Sequence, residues 1–122
     1  MTLVDTSVWI SHFREHNPGL AMLLDRASVL THPFVVGELA CGNFKNRSVV
    51  LSYLAALPGA ASATHNETLR LIEDRNLSGR GIGWIDAHLL ASALLSNCAF
   101  WTLDAKLNHA ASEARVKPYR TL

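Results

Sequence analysis

Apolar and polar positions along the chain fall into blocks that switch between strand and helix periods. Leu3-Val4 is a short apolar run ending at Asp5, after which Thr6-Ser7 leads into Val8, Trp9, Ile10 and Phe13. This predicts a first strand with Asp5 at its carboxyl end and a helix from Ser7 to about Glu15, broken at Asn17-Pro18-Gly19. Leu20, Leu23 and Leu24 continue on helical spacing and predict a second short helix over Gly19 to Ala27. Ser28 to Thr31 reads as a second strand. Pro33 then stands where a helix starts, followed by Phe34-Val35-Val36-Gly37-Glu38-Leu39-Ala40-Cys41-Gly42. Asn43 to Arg47 is a polar, basic turn, and Val49 to Leu57 is a helical pattern stopped by Pro58-Gly59. Ala60 to Thr64 is expected as a third strand. His65 to Asn76 is an amphipathic helix with Leu69, Ile72 and Leu77 on one side, and Ser78 to Gly83 is a flexible loop. Trp84 to Ser96 is the most apolar helix, Cys98 to Leu103 a strand, Asp104 to Ala114 a final helix, and Val116 begins a last short strand. Strands alternating with helices predict an α/β fold, a mostly parallel sheet of four to five strands with helices on both faces.

The chain of 122 residues is one domain, 1–122, long enough to bury a substantial core. Apolar residues make up 49% and charged residues 17%, against an average of about 25% charged, which points to a surface partly covered by a partner. The formal charge of +1 supplies no strong basic field, so any contact with nucleic acid has to come from a local patch. Cys41 and Cys98 form no C-x-x-C motif and are expected as two buried thiols of a cytosolic chain. The sequence has no signal segment and no apolar run of membrane length, so the expected location is the cytoplasm.

Of the ten acidic residues, Glu15, Asp25, Glu67, Glu73, Asp74 and Glu113 lie in polar surroundings. Asp5, Glu38, Asp86 and Asp104 do not. Glu38 shares a helix face with Val35 and Gly42, and Asp86 opens the stripe Leu89, Leu90, Ala93, Leu94 of the most apolar helix. Asp104 follows Phe100-Trp101-Thr102-Leu103 as Asp5 follows its own strand. Taken singly, each has a plain structural reading. Asp5 and Asp104 are ordinary helix N-caps, Asp86 complements a helix dipole, and Glu38 pairs with Lys45 or Arg47. Taken together they are costly. Desolvating an ionised carboxylate costs several kcal/mol, and clustered like charges raise one another's pKa. Four acids meeting at the carboxyl ends of a parallel sheet call for a cation between them. An all-oxygen donor set suits Mg²⁺ or Mn²⁺.

At this point the chain resembles the PIN-domain proteins, and among them the VapC group of type II toxin–antitoxin ribonucleases. The resemblance covers essentially the whole length. It rests on Leu3-Val4-Asp5-Thr6-Ser7-Val8-Trp9-Ile10 and His32-Pro33-Phe34-Val35-Val36-Gly37-Glu38-Leu39, then on Gly79-Arg80-Gly81-Ile82-Gly83-Trp84-Ile85-Asp86-Ala87-His88 and Trp101-Thr102-Leu103-Asp104. It implies a PIN-like three-layer α/β/α sandwich and a Mg²⁺- or Mn²⁺-dependent endoribonuclease. The enzyme would be a homodimer, held inactive by a cognate VapB-type antitoxin, with higher toxin–antitoxin assembly open to it. It also implies that Asp5, Glu38, Asp86 and Asp104 form the catalytic, metal-holding site, with Thr6, Ser7 and Thr102 as small hydroxyls beside it.

Arg80, Lys106, Lys45 and Arg47 are surface charges whose position makes them candidate contacts to RNA phosphates. Gly79-x-Gly81-x-Gly83 matches neither nucleotide-loop pattern and reads as a flexible connector. His12 and His16 read as an exposed pair without a third metal ligand, and Trp9, Phe13 and Trp84 read as core. Two rival readings stand beside the nuclease. A receiver-type phospho-switch fits the size and outline, but Ala63-Thr64-His65 follows the expected third strand without an aspartate. A binding-only protein with idle acids is the other.

Overall fold

The computed structural model describes residues 1–120. A four-stranded, wholly parallel sheet forms its centre, in the order β2-β1-β3-β4. The strands are β1 (Thr2–Val4), β2 (Val29–Leu30), β3 (Ala99–Trp101) and β4 (Lys117–Pro118). Seven helices are threaded between them: α1 (Thr6–Glu15), α2 (Pro18–Asp25), α3 (Pro33–Ala40), α4 (Arg47–Ala56), α5 (His65–Asp74), α6 (Trp84–Ser96) and α7 (Ala105–Glu113). The result is the expected α/β sandwich. In β1, Leu3 pairs with Leu30 on one side and Phe100 on the other, and Leu3, Val4 and Phe100 are buried as central strands of a covered parallel sheet require.

This strand order fixes where the site lies. The chain leaves β1 for β2 in one direction and later returns to β3 on the opposite side of β1. The order therefore reverses between β1 and β3, and the crevice of such a sheet opens beyond the carboxyl ends at that reversal. The ladder runs one residue past β1, where the Asp5 amide donates to the Trp101 carbonyl at 2.9 Å.

Local chemistry starts the helices where the pattern placed them. Asn17 Oδ1 accepts from the Leu20 amide at 3.1 Å, with Pro18 as the first residue of α2. His32 does the same for α3: its Nδ1 accepts from the Phe34 amide at 3.0 Å, ahead of Pro33. An acceptor at Nδ1 leaves the proton on Nε2, which points to Ser92 Oγ of α6 at 3.1 Å in the core. Thr64 and Glu67 close a reciprocal capping box at the start of α5, at 3.1 and 2.8 Å.

Several expectations fail, each for a visible reason. No strand forms over Ala60 to Thr64. That segment makes an isolated parallel bridge at Gly59 to Thr31. Beyond it, the amides of Ala61 and Ala63 donate to Ser96 Oγ and Ser92 Oγ of α6 instead of to a neighbouring strand. On α5 the buried residues are Thr68 and Leu71, and Leu69 is 45% exposed, because the Thr68 face packs on α6 through a contact of 3.2 Å to His88 Nδ1. Trp9 is core, but Trp84 is 39% exposed, at the first residue of α6 where the helix leaves the glycine loop. Cys98 is buried while Cys41 is exposed at the end of α3.

Candidate active site

Asp5 occupies the N-cap position of α1 without capping it. Its Oδ2 accepts instead from two hydroxyls, Ser7 at 2.8 Å and Thr102 at 2.7 Å. Each hydroxyl is in turn oriented by a backbone amide. Leu103 N–H donates to Ser7 Oγ at 3.0 Å and Asp104 N–H to Thr102 Oγ1 at 3.1 Å. With both hydroxyl protons directed at Asp5, the 3.2 Å approach of Ser7 to Thr102 is a contact between neighbours. The carboxylate, only 6% exposed, is thus held from α1 and from the end of β3 together. Thr6, Ser7 and Thr102 are therefore more than small neighbours that leave room. They hold acids in place.

The other three acids are tethered by one oxygen each. Asp104 Oδ1 caps α7, accepting from Lys106 N–H at 2.9 Å and Leu107 N–H at 3.3 Å. Asp86 Oδ2 accepts from Gly83 N–H at 3.0 Å. Glu38 Oε1 accepts from Thr6 Oγ1 at 2.8 Å and forms no ion pair with Lys45 or Arg47 among the described residues. In every case the second oxygen accepts no hydrogen bond from the described residues: Asp5 Oδ1, Glu38 Oε2, Asp86 Oδ1 and Asp104 Oδ2.

Burial sorts the four differently from the sequence. Asp5 is buried and Asp86 half-buried, but Glu38 and Asp104 are exposed. Glu38 turns outward although Val35 and Leu39 on α3 are buried, so it is not desolvated on the apolar side as its spacing implied. Burial raises the Asp86 carboxyl above the usual aspartate range; the Gly83 amide pulls it back, and the charges of Asp5 and Asp104 push it up further. Asp5 and Asp104 therefore lie near enough to Asp86 for their charges to act on it. Glu38 stands at the margin of the crevice, where it lines a groove of about 490 Å³ with Ile10, Phe13, Arg14, Phe44 and Lys45.

The donor set suits a hard divalent cation. Every ligand offered is oxygen, each acid keeps one oxygen uncommitted, and the half-buried Asp86 is held against its own charge. Among the described residues no three acids, histidines or cysteines stand close enough to enclose an ion between them. A hard cation that keeps several of its waters needs only one or two carboxylates and no all-protein cage.

The basic candidates separate by what they already hold. Arg47 is tied to the end of α3, donating from Nε to the Gly42 carbonyl at 3.1 Å and from Nη2 to the Ala40 carbonyl. Arg80 donates to the Asn76 carbonyl at 3.1 Å and pairs with Glu113 at 3.7 Å. Lys45 and Lys106 are exposed and enter no ion pair among the described residues. His12 is half-buried rather than exposed, its Nδ1 accepting from the Asn17 amide at 3.0 Å, so the His12–His16 pair belongs to the end of α1.

Comparison with known proteins agrees with this geometry. A model of the family described as PIN domain matches residues 2–113. Two curated proteins, each named Ribonuclease VapC32, come from Mycobacterium tuberculosis strains CDC 1551 / Oshkosh and ATCC 25618 / H37Rv. Both are 47% identical to the chain over 117 residues, 95% of this chain and 94% of theirs.

Proposed function

Given that the chain belongs to the PIN-domain family, we propose that it is a VapC-type endoribonuclease toxin, dependent on Mg²⁺ or Mn²⁺ and inhibited by a VapB-type antitoxin. What supports this most is Asp5: an aspartate at a helix N-cap, turned off its helix by Ser7 and Thr102, with one oxygen left for the crevice. A capping role would have aimed the same carboxylate at the α1 amides. The name of the relatives, ribonuclease, supplies the reaction class.

In this reading Asp5 and Asp86 would hold the ion, and Asp104 and Glu38 would orient its water or complete the shell of a second ion. A divalent ion held there would supply an activated water as nucleophile and would offset charge on the phosphodiester. Thr102 and Ser7 hold Asp5 in register by donating to Oδ2. Thr6 keeps Glu38 at the crevice margin. The scissile bond of an RNA strand lies across the carboxyl ends of β1 and β3, and exposed Lys45 and Lys106 are the cations nearest at hand for its backbone, with Arg80 and Arg47 behind them. The apolar groove beside Glu38, with Arg14 and Lys45 on its rim, is the surface on which an inhibiting antitoxin segment would cover the site. No described helix is long and apolar enough to cross a membrane, and the proposed setting is a homodimer in the cytoplasm.

The test is cleavage of total RNA and synthetic hairpins with Mn²⁺, Mg²⁺ or EDTA. Cutting is expected only with metal. Asp5→Asn is expected to abolish it while far-UV dichroism and antitoxin binding stay unchanged. Undiminished cutting by Asp5→Asn in EDTA would overturn the mechanism.

A further inference from the structure

Lys106 lies in the first turn of α7, two residues after Asp104, and its side chain runs across the loop that precedes α6. Gly81 makes that path available. A methyl group on Gly81 would meet Lys106 Cδ at 2.8 Å and both Cε and Nζ at 3.5 Å. Gly81 and Gly79 also hold left-handed backbone, at φ 79° and 73°, which side chains disfavour. The lysine stem is therefore laid over bare backbone, and its ammonium is carried to the loop that leads into Asp86.

That ammonium neutralises none of the acids around it. Lys106 takes part in no ion pair among the described residues. The charges that act on Asp86 are those of Asp5 and Asp104. The same loop also offers amides: among the described residues, those of Gly79, Gly81 and Ile82 donate to no protein acceptor, whereas Arg80 N–H donates to the Leu77 carbonyl and Gly83 N–H to Asp86. Unsatisfied amides in a turn of left-handed glycines form a concavity that favours anions. A fixed cation beside such a turn, at the rim of an acidic crevice, is suited to an anion that arrives with the substrate.

We infer that Lys106 and the Gly79–Gly83 loop seat a backbone phosphate of the bound RNA adjacent to the one cleaved, with Gly81 as the positioning residue that lets the lysine lie across the loop. The inference rests on the reading of the chain as a ribonuclease, and it assigns to the glycine loop a substrate role in place of a mere connector. Gly81 acts through Lys106 and through its own left-handed backbone in the loop.

The experiment is fluorescence anisotropy of a labelled RNA hairpin on the Asp5→Asn chain across a salt series, with melts to confirm folding. Lys106→Ala should weaken binding about 5- to 10-fold and lower the slope of log K against log salt by about 0.7, the value of one single-strand phosphate. Lys106→Arg should restore most of both. Gly81→Ala should weaken binding by itself but add less to Lys106→Ala than it costs alone, the signature of a residue that works in part through another. Unchanged affinity and slope in Lys106→Ala would overturn the phosphate seat, and additive losses would overturn the role given to Gly81. Cleavage by the Asp5-intact chain is measured alongside, where Lys106→Ala should raise KM more than it lowers kcat. Lys106-dependent binding without any cleavage would sink the ribonuclease reading and leave the seat standing; cleavage with Lys106-independent binding would do the reverse.

Discussion

Asp5 and Asp104 occupy equivalent places, each at the N-cap of the helix that follows a central strand, yet only Asp104 caps its helix. The difference comes from Ser7 and Thr102, whose hydroxyls converge on Asp5 Oδ2 from α1 and from the end of β3. Removing one of them should act on the ion rather than on the fold. Thr102→Val keeps the shape but loses the donor to Asp5 and the acceptor for the Asp104 amide. Loss of such an outer partner typically costs about 10- to 100-fold in metal affinity or activity. Titration calorimetry with Mn²⁺ and initial cleavage rates should both fall in that range, and a variant equal to the parent in both would refute the role. Asp86 makes the converse case. Its carboxyl is raised by burial and by Asp5 and Asp104, so the folded chain binds that proton more tightly than the unfolded chain does. Stability from this group is then lost as pH rises through the shifted range, and at neutral pH the ionised Asp86 opposes folding. Asp86→Asn should accordingly melt higher than the parent in EDTA at pH 7 while cleaving nothing; a lower melting temperature would contradict it.

At the scale of elements, start signals were readable because they are local. Asn17-Pro18, His32-Pro33 and Thr64 through Glu67 each satisfy orphan amides within three residues, and α2, α3 and α5 begin there. Thr64→Ala should cost about 0.5–2 kcal/mol in urea unfolding, the usual range for a lost N-cap hydroxyl. A change below that range would mean that packing on α6 alone holds α5. The expected strand over Ala60 to Thr64 failed for a nonlocal reason. The Ala61 and Ala63 amides are taken by Ser96 and Ser92, residues some thirty positions away on α6 that look from sequence like small core fillers. The face of α5 failed likewise: Leu69 has the right spacing, but Thr68 meets His88 and Leu69 is left outside.

Over the whole molecule, three histidines make acid a weak point. Burial lowers the pKa of His32, with His88 adding to the effect, and burial also lowers His88 and His12. A folded pKa below the unfolded value of about 6.5 means that the unfolded chain takes up protons first. Their contribution is complete above about pH 6.5 and is lost as pH falls through the range below it. The urea midpoint should therefore be flat from about pH 8 to 7 and fall below 6.5. His32→Asn should flatten that fall. Protonating His32 would also remove the acceptor that starts α3, which carries Glu38, so activity and stability should decline together in acid.

The sequence alone determined the α/β class and the helix starts, because periodicity and capping act within a few residues of each position, and it singled out Asp5, Glu38, Asp86 and Asp104 as candidates. The Asp5 stretch read as either a cap or a ligand, and no local signal separates the two. Tertiary structure removes the cap. Placing β3 beside β1 brings Thr102 to Asp5 and turns the carboxylate away from α1. It also left Glu38 exposed where spacing implied burial, and it laid Lys106 across Gly81. These outcomes depend on contacts between residues far apart in the chain, which strand order and packing fix and which no window of sequence contains.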